Sequence, residues 1–172
     1  MSSSELTQFH LCQGKFDSVD NFTLSSLMGR ALEIASSVPD EVPVGAVLAA
    51  PDGTIISEAP NLVQTTGNPI AHAEINCLSG SIGLCSRKDF ESATLVVTLE
   101  PCPLCMAAIR EYGVRTLVFG AYNEKQGAAS SVLDLARDKK LWGGPIEVIS
   151  GFEASKSSQL LSEFFTNLRQ QS

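Results

Sequence analysis

The strongest constraint on the fold is a pair of short apolar segments separated by a helix. The segments ATLVVTL (93–99) and RTLVFGA (115–121) are apolar runs of strand length and are predicted to be buried strands. Between them, Pro101 predicts the start of a helix, because proline is well tolerated in the first turn. Strands and helices that alternate along the chain are typical of α/β folds.

The other elements extend this alternation. The segments VGAVLAA and TIISEA flank the turn residues PDG, which predicts a β-hairpin. Helices are expected at 23–36, from His72 to about 80–83, near 131–138 and along the apolar stripe at 160–168, with a loop at 60–70 and a fifth strand at 146–151. The order α-β-β-α-β-α-β-α-β-α predicts a three-layer α/β/α sandwich around a mixed five-stranded sheet.

Length and composition limit the classes of protein to be considered. The 172 residues suit one compact domain, which we place at 23–172 behind a weakly structured tail at 1–22. The first twenty residues lack the basic and apolar regions of a secretory signal, and no apolar run is long enough to cross a bilayer. A cytoplasmic location is therefore expected. The net charge of −7 argues against a general affinity for nucleic acids but leaves room for a local basic groove.

The scarce histidines and cysteines cluster in two short motifs. His72 and Glu74 lie in PIAHAE, and Cys102 and Cys105 lie in EPCPLC. Five cysteines without an export signal favour metal binding or catalysis over disulfides. Cys102 and Cys105 are three residues apart in the first turn of a helix, so both sulfurs point the same way and the helix dipole favours their thiolates.

One histidine and two cysteines suit a Zn²⁺ ion with a position left open for water. Zinc lowers the pKa of such a water towards neutrality. Glu74 lies close enough to His72 to move protons between this water and a leaving amine, which suits hydrolytic deamination. A closed structural zinc site is the alternative, with Cys77 or Cys85 as the fourth ligand. Cys77 should face away from the metal, and His10 lies in the tail.

These residues resemble the zinc-dependent nucleobase and nucleoside deaminases, whose motifs are H-x-E and P-C-x-x-C. Within this cytidine deaminase-like superfamily, the chain is similar to the bacterial tRNA-specific adenosine deaminases from about residue 23 to its end. The matching stretches are EVPVGAVL (41–48), PIAHAE (69–74), ATLVVTLEPCPLCMAAI (93–109), LVFGA (117–121), GAASSVLDL (127–135) and LLSEFFTNLR (160–169).

The resemblance implies a homodimer that converts adenosine to inosine at the wobble position of a tRNA anticodon. It assigns one zinc per subunit to His72, Cys102 and Cys105, and proton transfer to Glu74. The substrate contacts that it implies are Asn61, Val44, Ala73, Asn123 and Phe164. Local explanations remain open for three of them: Asn61 as a turn cap, Val44 as a core residue, and one of Phe164 and Phe165 as a core residue.

Three features depart from the pattern expected of an RNA-binding relative. The loop NLVQTTGNP contains no basic residue, and the last residues, LRQQS, contain only one. Asn123 stands where many relatives have aspartate. The eleven cations of the domain are scattered, and most are expected to be solvated surface charges, Arg110 among them. The cluster RDKK (137–140) and Lys125 are the first candidates for RNA contact.

Two other functions therefore stay open. A deaminase of free cytosine or guanine bases, or of their nucleosides, would use the same zinc chemistry and would suit the acidic surface. A catalytically silent subunit that supports a partner is the third possibility. The intact Glu74 argues against a silent subunit, since loss of that carboxylate is the simplest way to abolish activity.

Overall fold

The computed structural model describes residues 20–170. Within this range the chain forms six helices and five strands. The helices are α1 (Asn21–Ala35), α2 (Val63–Thr66), α3 (Ala73–Gly80), α4 (Arg87–Ser92), α5 (Pro103–Tyr112) and α6 (Ala154–Gln170). The strands are β1 (Gly45–Ala49), β2 (Ile55–Pro60), β3 (Thr94–Leu99), β4 (Thr116–Ala121) and β5 (Glu147–Ile149). None of these helices is both long enough and apolar enough to span a membrane.

The five strands form one mixed sheet in the order β2-β1-β3-β4-β5. Strand β1 is antiparallel to both of its neighbours, and Gly45 pairs with Pro60 in the predicted hairpin. Strands β3, β4 and β5 run parallel to one another. The hairpin and the mixed five-stranded sheet are therefore confirmed.

Helices cover both faces of the sheet, which confirms the three-layer sandwich. Side chains alternate along β1, so that Leu48 joins the core under α3 and α5 while Val47 joins the core under α1. Strand β3 divides its side chains in the same way. Both faces of the central strands are buried, which explains why their sequences are almost continuously apolar.

Helix α1 lies unusually close to the sheet, and a glycine makes this possible. A Cβ atom at Gly45 would lie 2.1 Å from the carbonyl oxygen of Ala31. Any side chain there would push helix and strand apart. At its start, α1 is capped by Asp20, whose carboxylate accepts a hydrogen bond from the backbone N–H of Thr23. The helix thus begins at Asn21, two residues before the predicted start, and residues 1–19 of the expected tail lie outside the described range.

Other helix boundaries also differ from the prediction. The expected loop at 60–70 contains the single turn of α2, and α4 was not predicted. Helix α4 begins with a capping box, in which the side chains of Ser86 and Asp89 each accept from the other's backbone N–H. Helix α5 begins at Pro103, with Cys102 as its N-cap, so its start lies two residues after Pro101.

The helix predicted near 131–138 is wrong, since this segment consists of turns. Its backbone groups bond to distant side chains instead of to one another. The N–H groups of Ser130 and Ser131 donate to Glu100, while the carbonyls of Leu135 and Ala136 accept from Arg110. In a helix over 131–138 the N–H of Leu135 would donate to the carbonyl of Ser131, but it donates to the carbonyl of Ala128 instead.

Candidate active site

The ends of two helices bring the three predicted metal ligands together. His72 is the N-cap residue of α3, Cys102 is the N-cap residue of α5, and Cys105 lies in the first turn of α5. The Nδ1 atom of His72 is 3.3 Å from Sγ of Cys105 and 3.6 Å from Sγ of Cys102, and the two sulfurs are 3.6 Å apart. These atoms could hold a metal ion.

The spacing of these atoms fits zinc. At zinc–ligand distances of about 2.3 Å to sulfur and about 2.0 Å to nitrogen, a tetrahedral ion separates two sulfurs by roughly 3.8 Å, and sulfur from nitrogen by roughly 3.5 Å. The separations in the protein agree with these values to within about 0.2 Å. Two thiolates and an imidazole are also the donor set that zinc prefers.

Within residues 20–170, no further histidine, cysteine or carboxylate supplies a fourth ligand to the cluster. Cys77 points away from the metal site, as expected: its thiol donates to the carbonyl of Ser57. Burial raises the pKa of Cys77 to about 12, which keeps it a neutral thiol. Cys85 lies outside the cluster, and His10 lies outside the described residues. Three protein ligands with one position open is the arrangement of a catalytic zinc site.

The two thiols of the cluster share a proton. The hydrogen bond between the two sulfurs lowers the pKa of Cys102 to about 5, and the backbone N–H of Cys105 and the side chain of His72 add to this effect. The same hydrogen bond, together with burial, raises the pKa of Cys105. Metal binding needs both thiolates, so it must release this proton.

Glu74 stands beside the cluster without belonging to it. It lies in the first turn of α3 and is almost fully buried, yet it lines the same cleft as His72 and Cys102. Burial raises the pKa of Glu74 to about 7, and the neighbouring Cys102 thiolate adds to this rise. A carboxyl group with a pKa near neutrality can both accept and donate a proton during one reaction cycle.

The cleft above these residues has a volume of about 280 Å³. Four of the five residues predicted to contact the substrate line it: Val44, Asn61, Ala73 and Asn123. Phe164 does not line this cleft; it lies on α6, half-buried, with its ring against Phe165. Neither phenylalanine belongs to the buried core, so the expectation that one of them would is wrong. Ser157, near the start of α6, is the buried residue of this helix.

Two buried carboxylates that sequence reasoning missed hold the walls of the cleft. Glu41 is 1% exposed and accepts from the side-chain amide of Asn61 at 2.9 Å and from the backbone N–H of Thr65 at 2.6 Å. Glu100 is also 1% exposed and accepts from the backbone N–H groups of Asn123, Ala129, Ser130 and Ser131. In the sequence, Glu41 lies shortly before an apolar strand and Glu100 directly follows one. This position was the one signal in the sequence that these carboxylates are buried.

Glu100 remains ionised despite its burial. Burial alone would raise its pKa, but hydrogen bonds from the hydroxyl and N–H of Ser131 and from other backbone N–H groups lower the pKa below its usual value. Gly127 allows this approach, because a Cβ atom there would lie 2.3 Å from the Glu100 carboxylate. The loop that carries Asn123 is therefore folded around this carboxylate.

Arg110 is a second buried charge whose partners are backbone groups of a loop. The prediction that it would be a solvated surface charge is therefore wrong. It is 1% exposed, and its guanidinium donates to backbone carbonyls. These carbonyls belong to Leu135, Ala136, Asp138, Trp142 and Gly144. Lys125, by contrast, is exposed and lines a second cleft of about 470 Å³ together with His72 and Cys102.

A family model now accounts for this arrangement. The model of the cytidine and deoxycytidylate deaminase zinc-binding region matches residues 23–121, more than half of the chain. The chain belongs to this family. The match contains the three candidate zinc ligands and Glu74, and members of the family bind zinc in this region, as the fit of the cluster to zinc leads one to expect.

Individual relatives refine the comparison. The tRNA-specific adenosine deaminase of Haemophilus influenzae is 40% identical over 147 residues, which cover 84% of each protein. A tRNA(Ile)-lysidine synthase of Deinococcus radiodurans is 38% identical over 151 residues, which cover 87% of this chain but 26% of that protein. The chain thus spans about a quarter of the length of this second relative.

Solved structures agree with the sequence relatives. A structure from studies of A-to-I editing by tRNA:A34 deaminases at the wobble position of transfer RNA superposes with a TM-score of 0.72 at 35% identity. The superposition covers 79% of this chain and 99% of that chain. The guanine deaminase of Nitrosomonas europaea shares the fold, with a TM-score of 0.67 at 23% identity over 90% of this chain and 98% of that one.

Proposed function

We propose that this protein is a zinc-dependent deaminase that converts adenosine to inosine at the wobble position of a tRNA anticodon. The observation that carries the proposal is the open His72–Cys102–Cys105 cluster beside the buried Glu74, in a chain that matches tRNA-specific adenosine deaminases along most of its length. The reaction replaces the 6-amino group of adenine with oxygen from water and releases ammonia.

Each residue of the cluster has a distinct role in this proposal. His72, Cys102 and Cys105 hold the zinc, which when bound supplies a Lewis acid that makes water nucleophilic near neutral pH. Glu74 takes a proton from the attacking water and gives a proton to the leaving amine. The burial of Glu74 supports this role, since it raises the pKa of the carboxyl to about 7.

The remaining cleft residues position the base. Asn61 offers hydrogen-bonding groups from one wall, Val44 and Ala73 offer apolar surface, and Asn123 borders the cleft from the loop above. The base must leave its stack to reach the zinc, as deaminases that act on nucleic acids require. Phe164 lies apart from this cleft, so its contact with the substrate would involve the flanking parts of the anticodon loop.

The proposal includes a homodimer that binds tRNA in the cytoplasm. Exposed Leu104, Val132 and Leu133 line the second cleft and provide an apolar surface that a second copy would cover. Lys125 lines the same cleft, and in this proposal its ammonium contacts an RNA phosphate at the boundary between the two copies. Two copies would bring two such lysines together, which partly offsets the acidic character of the chain.

One observation keeps a small-molecule deaminase as the second candidate. Within residues 20–170, no lysine or arginine lines the zinc cleft. A cleft of this kind also suits a free base or nucleoside, whose recognition needs no phosphate contact.

A paired assay on the zinc-loaded protein distinguishes the two candidates. One arm offers an anticodon stem-loop with adenosine at the wobble position and measures inosine. The other arm offers cytosine, guanine, adenine and their nucleosides and measures ammonia. We expect inosine in the stem-loop and no ammonia from free bases. Ammonia from a free base with the RNA unchanged would overturn the substrate, and no product in either arm would favour a catalytically silent subunit.

A further inference from the structure

The wall of the cleft that carries Asn61 is organised by a charged side chain outside the zinc chemistry. Glu41 lies before β1, and Asn61 directly follows β2. The backbone of Asn61 is already fixed, because its N–H donates to the carbonyl of Val44. What the hairpin leaves undetermined is the orientation of the Asn61 side-chain amide, which can present either its oxygen or its nitrogen to the cleft.

Glu41 removes this ambiguity. An ionised carboxylate can only accept hydrogen bonds, so the amide nitrogen of Asn61 must face Glu41, at 2.9 Å from Oε2. The other carboxylate oxygen accepts from the N–H of Thr65, in the first turn of α2. That helix has no side-chain cap of its own, so Glu41 serves as its cap from a distance. Both oxygens of Glu41 are thereby engaged, and the carboxylate cannot rotate away.

The opposite side of the Asn61 amide is free for a ligand. Among the described residues, no donor bonds to its Oδ1 atom, and this atom is not one of the buried polar atoms left without a partner. Asn61 lines the cleft, and because its Nδ2 atom is turned to Glu41, Oδ1 is the end of the amide that is left to the cleft. The side chain therefore presents a hydrogen-bond acceptor to that space.

We propose that Glu41 is a positioning residue that holds Asn61 with its carbonyl oxygen towards the substrate, so that the cleft selects a substrate bearing an N–H or O–H donor at that point. The inference rests on the proposed role of Asn61 in holding the substrate. Glu41 itself touches no reacting atom. Its effect on the reaction passes through the orientation of one amide.

The decisive variant is Glu41→Gln, which keeps the size of the side chain and its bond from Thr65 but exchanges donor and acceptor in the bond to Asn61. The new amide oxygen accepts from Thr65, and its nitrogen points at Asn61. To avoid two facing donors, the Asn61 amide must turn over and present its nitrogen to the cleft. We expect kcat/KM to fall by roughly 10- to 100-fold, mostly through KM, because one substrate donor then meets a donor. Zinc content and Tm should be close to those of the parent protein.

A swapped pair tests the geometry directly. In the double variant Glu41→Gln with Asn61→Asp, the glutamine nitrogen donates to one aspartate oxygen, and the other oxygen faces the cleft as an acceptor. We expect kcat/KM to recover by about tenfold over Glu41→Gln alone. In an Asn61→Ala background, Glu41→Gln should have no further effect on KM, since there is no amide left to orient. Glu33→Gln, at an exposed site on α1, is the matched control and should leave KM unchanged.

The outcomes separate this inference from the proposed function. The inference is overturned if the effects of Glu41→Gln and Asn61→Ala on KM multiply when the two changes are combined. It is also overturned if Glu41→Gln alone leaves KM unchanged. In either case Glu41 does not act through Asn61. Should the parent protein deaminate a free base and not the stem-loop, the same cycle is measured with that base.

An NMR measurement needs no substrate and settles the inference even where a variant folds poorly or no substrate is turned over. In the parent protein, one side-chain amide proton of Asn61, assigned by its loss in Asn61→Ala, should be hydrogen-bonded and slow to exchange. Two solvent-exposed amide protons would overturn the inference on their own.

Discussion

The two sides of the zinc cleft are held by different kinds of interaction. On the metal side, His72 and Cys102 are N-cap residues, and Glu74 and Cys105 lie in the first turns of the same two helices. On the opposite side, Asn123 lies on a loop whose backbone bonds to a buried carboxylate. The residues on the metal side are therefore positioned by helix ends, whereas those on the opposite side are positioned by single buried charged side chains.

This difference has a consequence for substitutions. A change on the metal side should remove chemistry and leave the fold intact, because the helices persist without any one ligand. A change at Glu100 should loosen a whole segment, because at least four backbone N–H groups would lose their acceptor together. The following variants test this contrast.

The largest effect is expected from Cys105→Ser. The serine hydroxyl is a poor zinc ligand, so this variant loses one of three protein ligands. Removal of a residue that only supports a ligand lowers metal affinity by roughly 10- to 100-fold, and the loss of the ligand itself should lower zinc affinity by more. Zinc content by elemental analysis and deaminase activity should both fall to background. Cys85→Ser, outside the cluster, is the control and should keep both. Full zinc occupancy in Cys105→Ser would contradict the assigned ligand set.

Next in size is Glu74→Gln, which should separate chemistry from metal binding. The amide cannot carry a proton from water to the leaving amine, so kcat should fall by about 10²- to 10⁴-fold. Zinc content should stay at the level of the parent protein, and Tm should not fall, since a buried carboxyl is replaced by a neutral group of the same size. Turnover at the parent rate would show that another group moves the protons.

A smaller and different effect is expected from Glu100→Gln. The glutamine oxygen can keep the three N–H donors of Oε1, but its nitrogen would then face the N–H of Asn123, which should cost about 1–3 kcal/mol of the free energy of unfolding. Hydrogen exchange should speed up across residues 123–131, and KM should rise while zinc content stays unchanged. The exposed Glu124 lies in the same loop, so Glu124→Gln is the matched control. Protection equal to that of the control would mean that the loop does not depend on the buried carboxylate.

The smallest effect is expected far from both sides of the cleft, from Ser86→Ala. This change removes the capping box at the start of α4 and should cost about 1 kcal/mol of unfolding free energy. Thermal denaturation should show a lower Tm, and kcat, KM and zinc content should match those of the parent protein. Altered kinetics would show that α4 communicates with the cleft through Phe90, its one buried residue.

The outcome of the sequence predictions follows the same division. The strands on either side of α5 were predicted because strand periodicity is a local property of a short segment. The candidate zinc ligands and Glu74 were predicted from the residue types in two short motifs, and the structure brings His72, Cys102 and Cys105 together. The helix expected at 131–138 was wrong because the segment takes its partners from elsewhere in the chain. The N–H of Leu135 donates to the carbonyl of Ala128, and the side chains of Glu100 and Arg110, about 25 to 30 residues earlier, bond the two ends of the segment. Arg110 was misassigned for the same reason, since only the folded chain shows that carbonyls surround it.

By itself, the sequence determined the layered α/β architecture, because the periodicity of each helix and strand is a property of a short segment. It also pointed to the candidate zinc ligands and to Glu74, although His72 lies 30 residues before Cys102, because the residue types within each of the two motifs are those of a zinc site. Only the tertiary structure decided how the substrate side of the cleft is built. Glu41 meets Asn61 across twenty residues, and Glu100 meets the 123–131 loop across about as many or more. A buried charge takes its partners from wherever the fold places unsatisfied donors, and spacing along the chain does not reveal those places.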